Sequence, residues 1–265
     1  MLSDMLFQVR GAVCCKDSTS RGGTMKTIIL TLKYLATMIA ATMLLAASAA
    51  AVEKPDLQEI LAALKNGYAS TRDLHADFHQ KTYIAALNRE EKGSGELFLK
   101  KMGDTAQFRF DYIKPKQQII SNGKNVWYYL PDNKQVILTD TAKLFAGGNG
   151  MALSYLTGLG KLSEDFEIKL VSQIPDKKGN FQLELIPKKA NQAVAKLHLF
   201  VSADAVKKSG ENPTGAAFFP LTASVLFDQL GNRTTIEYSK IRLNSGIGSE
   251  RFTFKPPAGV EVIKQ

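Results

Sequence analysis

From residue 73 to residue 243 the chain breaks into short runs in which apolar and polar side chains alternate, each closed by turn-forming residues. Successive side chains of a strand point to opposite faces, so punctuated runs of period two read as strand after strand. The runs cover 74–82, 92–100, 106–113, 117–121, 125–130, 135–139, 166–172, 180–187, 196–202, 221–227 and 233–243. Gly103-Asp104, Pro115, Asn122-Gly123 and Pro131-Asp132-Asn133 separate the early ones, and Asn122-Gly123 between apolar runs is the best hairpin signal. Alternation is cleanest where Phe181, Leu183 and Leu185 oppose Gln182 and Glu184. About eleven short strands with tight connections favour an antiparallel meander, curled or nearly closed. The expected fold class is mainly β with helices, in the α+β sense.

The helices are few. Leu57, Ile60, Leu61, Leu64 and Tyr68 recur at helical spacing within 55–72, with Pro55 and Asp56 suited to a start and Gly67 near the end. Residues 140–162 interrupt the strands. There Leu144, Phe145, Met151, Leu153, Leu156 and Leu159 sit among Gly147, Gly148, Gly150, Gly158 and Gly160. That pattern reads as one or two short helices on glycine hinges, either a movable cover or a plain connection. Ser202–Phe219 is polar and contains Gly and Pro, so it reads as a surface insertion.

The first 50 residues belong to a different story. Lys26 and Lys33 precede an apolar run from Tyr34 to Ala47, and Ala46-Ala47-Ser48-Ala49-Ala50-Ala51 follows. A basic start, an apolar run too short to span a bilayer and a small-residue exit describe a secretory signal peptide. Cleavage after Ala49, Ala50 or Ala51 is expected, and Met25 is a candidate start. Cys14 and Cys15, the only cysteines, lie upstream of that cut, so the mature chain is expected to carry no thiol, disulfide or lipid-bearing cysteine. One domain over 51–265 is expected to remain. The net charge is +9, of which +3 falls in residues 1–50. The basic side chains are scattered rather than blocked, which argues against nucleic acid as a partner.

Catalytic patterns are sparse. His75 and His79 share a face if that stretch is a strand, but spacing suggests no third metal ligand, and His198 stands far off. Asp77, Glu96 and Asp111 have the right chemistry for acid–base work, yet nothing in the sequence pairs them. No Gly-x-Ser-x-Gly, phosphate loop or His-Glu-x-x-His is present. The chain is expected not to be an enzyme and to need no metal or cofactor. What stands out is aromatic and aliphatic density. Phe108, Phe110 and Tyr112 share one face, Trp127 and Tyr129 share another, and Val126, Tyr128 and Leu130 oppose them. A packed core and the wall of an apolar ligand cavity both fit that pattern.

Four stretches together resemble the LolA family: Gly95–Lys101 (GELFLKK), Phe108–Tyr112 followed by Pro115, Ile119–Tyr129 (IISNGKNVWYY), and Phe252–Val260 (FTFKPPAGV). The resemblance spans about residues 55–265. It implies an incomplete, curled antiparallel barrel of about eleven strands with helices as a lid over a hydrophobic cavity. By the same resemblance the chain is a periplasmic carrier, acting as a monomer, that takes acylated lipoproteins from an inner-membrane lipoprotein-releasing ABC transporter to an outer-membrane receptor such as LolB. A binding or sensor protein of the same fold for another lipid is the alternative. The expected cavity wall is Leu97, Leu99, Phe108, Phe110, Trp127 and Tyr129. The expected lid is Leu144, Phe145, Met151, Leu153, Leu156 and Leu159. Phe108 matches a rim position in the family, so Phe108→Glu is expected to impair transfer with the fold intact. The family's lid-closing arginine is replaced here by Lys101, which offers a point charge in place of a planar fork.

Overall fold

The computed structural model describes residues 54–103, 105–141, 143, 162–189, 194–211 and 217–265. The signal-peptide reading and all six lid residues named above, Leu144, Phe145, Met151, Leu153, Leu156 and Leu159, lie outside them.

Helix α1, Leu57–Ser70, opens with a capping box. The Asp56 carboxylate accepts from the Glu59 backbone N–H at 2.9 Å, and the Glu59 carboxylate accepts from the Asp56 N–H at 2.9 Å. Two of the four orphan donors of the first turn are thereby satisfied. The helix buries Ile60, Ala63, Leu64, Gly67 and Tyr68, one stripe at helical spacing. It stops where the Thr71 hydroxyl turns back onto the Gly67 carbonyl at 2.8 Å.

The strands follow in chain order: β1 Asp73–Ile84, β2 Arg89–Met102, β3 Thr105–Lys114, β4 Gln117–Ser121, β5 Asn125–Leu130 and β6 Gln135–Asp140. After the short helix α2, Leu162–Asp165, come β7 Phe166–Leu170, β8 Asn180–Pro187 and β9 Lys196–Ser202. Helix α3, Ala203–Glu211, precedes β10 Leu221–Phe227, β11 Arg233–Leu243 and β12 Glu261–Lys264. All twelve form one sheet in the order β12-β6-β5-β4-β3-β2-β1-β11-β10-β9-β8-β7. Neighbours are antiparallel except β12, which runs parallel to β6. The order is linear, so the barrel is incomplete, as expected. Side chains from β2, β3, β5, β8 and β9 nevertheless meet in one buried cluster, which a flat sheet of this width would not allow.

The eleven runs read from alternation all became strands at or within a few residues of the expected limits. Asn122-Gly123 makes the expected hairpin: the Asn122 side chain accepts from the N–H groups of Lys124 and Asn125 at 3.0 and 2.8 Å. Two elements differ. β12 was not anticipated; it is a four-residue edge strand, exposed throughout, whose backbone pairing with β6 leaves no apolar period to read. Ser202–Phe219 is not a bare insertion, because it contains α3. Its polar composition hides a narrow inward side of Ala205, Val206 and Ser209. Asn66 of α1 donates to the Ser209 hydroxyl at 3.2 Å. No helix among the described residues is long and apolar enough to cross a membrane.

Candidate functional site

Residues paired directly across antiparallel strands share a face, so register decides which side chains look into the curl. Leu97, Leu99 and Lys101 of β2 stand opposite Phe110, Phe108 and Ala106 of β3. Ala76 and Leu74 of β1 continue that row on one side. Ile119 and Ser121 of β4, then Tyr128 and Val126 of β5, continue it on the other. Beyond β1 the same face carries Tyr238, paired with Phe78, and across the sheet Leu199 and Leu183. Leu97, Leu99, Phe108 and Phe110 are therefore brought together on the inner face, and α1 adds Ile60, Leu64 and Tyr68 to their cluster. Fully burying an aliphatic side chain of this size stabilises by about 1.5–3 kcal/mol.

Helix α1 is tied down at its C-terminal end. The Lys101 ammonium donates to the Tyr68 carbonyl in the last turn of the helix, which also accepts from the Thr71 N–H at 3.3 Å. The Lys101 backbone N–H donates to the Arg72 carbonyl at 2.9 Å. The Tyr68 ring meets Phe219 edge-on, centroids 5.6 Å apart. Burial holds the Lys101 ammonium below the usual lysine range and pushes the Tyr68 phenol up.

The other end of the inner face is hollow. A cavity of about 660 Å³ is lined there by Gln80, Thr82, Gly93, Tyr112, Gln117 and Tyr128. Gly93 helps to leave this space, since a Cβ there would lie 3.2 Å from the Tyr112 ring, while Gly95 lets β3 come close, since a Cβ there would lie 2.0 Å from the Asp111 carbonyl. The Tyr112 ring packs edge-on against Phe78, centroids 4.8 Å apart.

An apolar face under a tethered helix, with a cavity at its far end, is what the family comparison meets. Residues 69–209 match the family described as Outer membrane lipoprotein carrier protein LolA. An outer-membrane lipoprotein carrier protein from Chromobacterium violaceum is 30% identical over 228 residues, covering 82% of this chain and 94% of the relative. The chain belongs to the LolA family. A LolA-family relative from Pseudomonas aeruginosa, also named an outer-membrane lipoprotein carrier protein, is 27% identical over 242 residues, covering 88% of this chain and all of its own. Among solved structures, a LolA superfamily protein from Nitrosomonas europaea aligns with a TM-score of 0.39 and 16% identity, covering 74% of this chain and 97% of that one.

Within this LolA-family chain, two expected wall residues are misplaced. Trp127 pairs with Ile120 and Leu138, and Tyr129 with Gln118 and Val136, which puts both on the outer face. The C-terminal segment returns across that face and covers them. Phe254 meets Trp127 and Tyr129 at centroid distances of 6.1 and 5.5 Å, Phe252 is fully buried, and Arg251 stacks its guanidinium 4.1 Å above Phe98. Both faces of β5 are apolar for this reason. Val126 and Tyr128, not Trp127 and Tyr129, are the inward pair.

The outer face also gathers the polar residues that sequence spacing left apart. His75, Asp77 and Glu96 place one ligand atom each within 4.8 Å of one another. Each is already engaged: His75 Nε2 meets Glu96 at 2.9 Å, Arg242 donates to His75 Nδ1 at 2.8 Å, and Lys240 pairs with Asp77 at 2.8 Å. With Nδ1 accepting, Nε2 carries the proton, so neither ring nitrogen offers a lone pair to an ion. Arg109 likewise holds Asp111 through Nε at 2.8 and 2.9 Å. His198 sits between Gln182 and Glu184, at 3.0 and 3.2 Å, and burial lowers its pKa.

Proposed function

We propose that this LolA-family chain is a periplasmic chaperone that shields the acyl chains of lipoproteins against its inner face and carries them from the inner to the outer membrane. The observation that carries this reading is a continuous apolar surface on the inside of an open sheet, covered at one end by a helix with few specific ties. Each acyl CH₂ held in water costs about 0.8 kcal/mol. A lipoprotein leaving a bilayer unaided therefore faces tens of kcal/mol, and a dry apolar surface removes that cost without any reaction. Release requires that the surface be recovered by something when cargo leaves. Helix α1 fits that part, because its apolar stripe satisfies the same side chains that the acyl chains would touch. Partners on this reading are acylated lipoproteins as cargo, an inner-membrane lipoprotein-releasing ABC transporter as donor, and an outer-membrane acceptor of the LolB kind. The carrier is expected to work as a monomer.

Depleting the protein in its host should make outer-membrane lipoproteins accumulate at the inner membrane, read by membrane fractionation and immunoblotting. Normal sorting after full depletion would count against the carrier role. Native mass spectrometry of protein taken from its host separates lipoprotein cargo from another lipid.

A further inference from the structure

We propose that the hollow, polar end of the inner face is a subsite for the glyceryl ester of the cargo, bound by hydrogen bonds from Tyr112, Tyr128, Gln80 and Gln117, with the acyl chains running toward Phe78 and Phe110. The proposal rests on the carrier reading above and adds which part of the lipoprotein lies where.

Polarity changes at one level on β1, β3 and β4, with the glycines of β2 between β1 and β3. Along the inner side of β1, Leu74, Ala76 and Phe78 give way to Gln80 and Thr82. On β3, Phe108 and Phe110 give way to Tyr112, and on β4, Ile119 gives way to Gln117, the residue opposite Tyr112. Polar residues facing bulk water would need no mutual order, but these are organised. The Tyr112 hydroxyl donates to the Gln80 carbonyl oxygen at 2.8 Å, and the Tyr128 hydroxyl donates to that of Gln117 at 2.7 Å. Gln80 passes the chain on to the Thr82 hydroxyl at 3.2 Å.

An ester has acceptors only. Phenol O–H and carboxamide N–H groups are uncharged donors; an ester carbonyl that enters takes over the phenol protons now given to Gln80 and Gln117, or accepts from the carboxamide N–H groups, and no charge is buried either way. Burial pushes the Tyr112 phenol up to about 12 and raises that of Tyr128, so both keep their protons throughout the neutral range. The cavity, about 660 Å³, is of small-molecule size. Glu91 and Lys114 line its wall as well, and give the peptide part of the cargo a charged way out to water.

The test compares three probes on the mature protein by isothermal titration: a dipalmitoylglyceryl lipopeptide, its dialkyl ether analogue with no carbonyl, and dipalmitoyl phosphatidylglycerol. The wild type should bind the ester lipopeptide about tenfold or more tighter than the ether, since a site built to pair a polar group rejects the analogue lacking it. The double variant Tyr112→Phe, Tyr128→Phe should lose most of that preference, and Gln117→Leu part of it. An absent ester preference in the wild type, or one that survives in variants with normal melting curves, overturns the subsite. Tighter binding of the phosphatidylglycerol than of the lipopeptide overturns the assignment to lipoprotein. Failure of the wild type to bind any of the three overturns the carrier reading beneath it. If the tyrosine double variant does not fold, Gln117→Leu alone decides.

Discussion

Phe108→Glu is expected to cost the protein its folded state. The side chain is 0% exposed, in contact with the Phe110 ring and opposite Leu99 and Ser121. Removing a buried phenylalanine leaves a cavity worth about 3–5 kcal/mol. A carboxyl group in the same largely apolar cluster must either lose its charge or bury it, at several kcal/mol more. A domain of this size has about 5–15 kcal/mol in all. Urea denaturation followed by far-UV circular dichroism should show little or no folded baseline. A cooperative transition with a midpoint near that of the wild type would contradict the burial. This replaces the expectation from sequence that the substitution spares the fold, which treated Phe108 as a rim residue. A phenylalanine to leucine change at the same site, which keeps the apolar volume nearly filled, is the better probe of transfer.

Lys101→Met should loosen α1 selectively. The methionine keeps most of the apolar stem and removes the ammonium, which leaves the Tyr68 carbonyl without its charged donor. A charge-assisted hydrogen bond contributes about 1.5–3 kcal/mol, here reduced because the lysine is only partly buried. Roughly 1–1.5 kcal/mol remains, which is about a tenfold change in the opening equilibrium. Amide hydrogens of Ile60, Ala63, Leu64 and Tyr68 should therefore exchange about tenfold faster, while those of β8 and β9 stay as they were. An apolar fluorescent dye should bind more strongly to the variant. Lys101→Arg should retain protection, since it also donates to a carbonyl. Equal exchange rates in Lys101→Met and wild type would mean that the tether does nothing for the helix.

The strands were legible because alternation is local: each run of period two carries its own evidence, and turn residues such as Asn122 act within four residues of themselves. Which face of a strand points inward is not local. Residues 125–130 are apolar on both sides, and the side chains that claim Trp127 and Tyr129 come from Phe254, far along the chain. Aromatic density alone placed both in the cavity wall, and the returning C-terminal segment took them out. The family resemblance names Lys101 as a candidate for closing a lid that lies outside the described residues; the partner seen here, the Tyr68 carbonyl of α1, is a backbone group that no side-chain pattern reports. The hollow end escaped notice for the opposite reason. Gln80 and Gln117 read as ordinary polar strand positions, and only strand register brings them beside the Tyr112 and Tyr128 hydroxyls. The His75, Asp77 and Glu96 group was invisible for the same cause, because it joins two strands.

Tyr128 and Tyr129 are neighbours in sequence and point to opposite sides of β5, so they test the central claim with the least disturbance. A photo-reactive benzoylphenylalanine is placed at one position or the other, and the protein is loaded with a palmitoylated lipoprotein and irradiated. Cargo should cross-link efficiently from position 128 and not from position 129. Cross-linking from position 129 alone, or equally from both, would contradict an acyl-binding inner face.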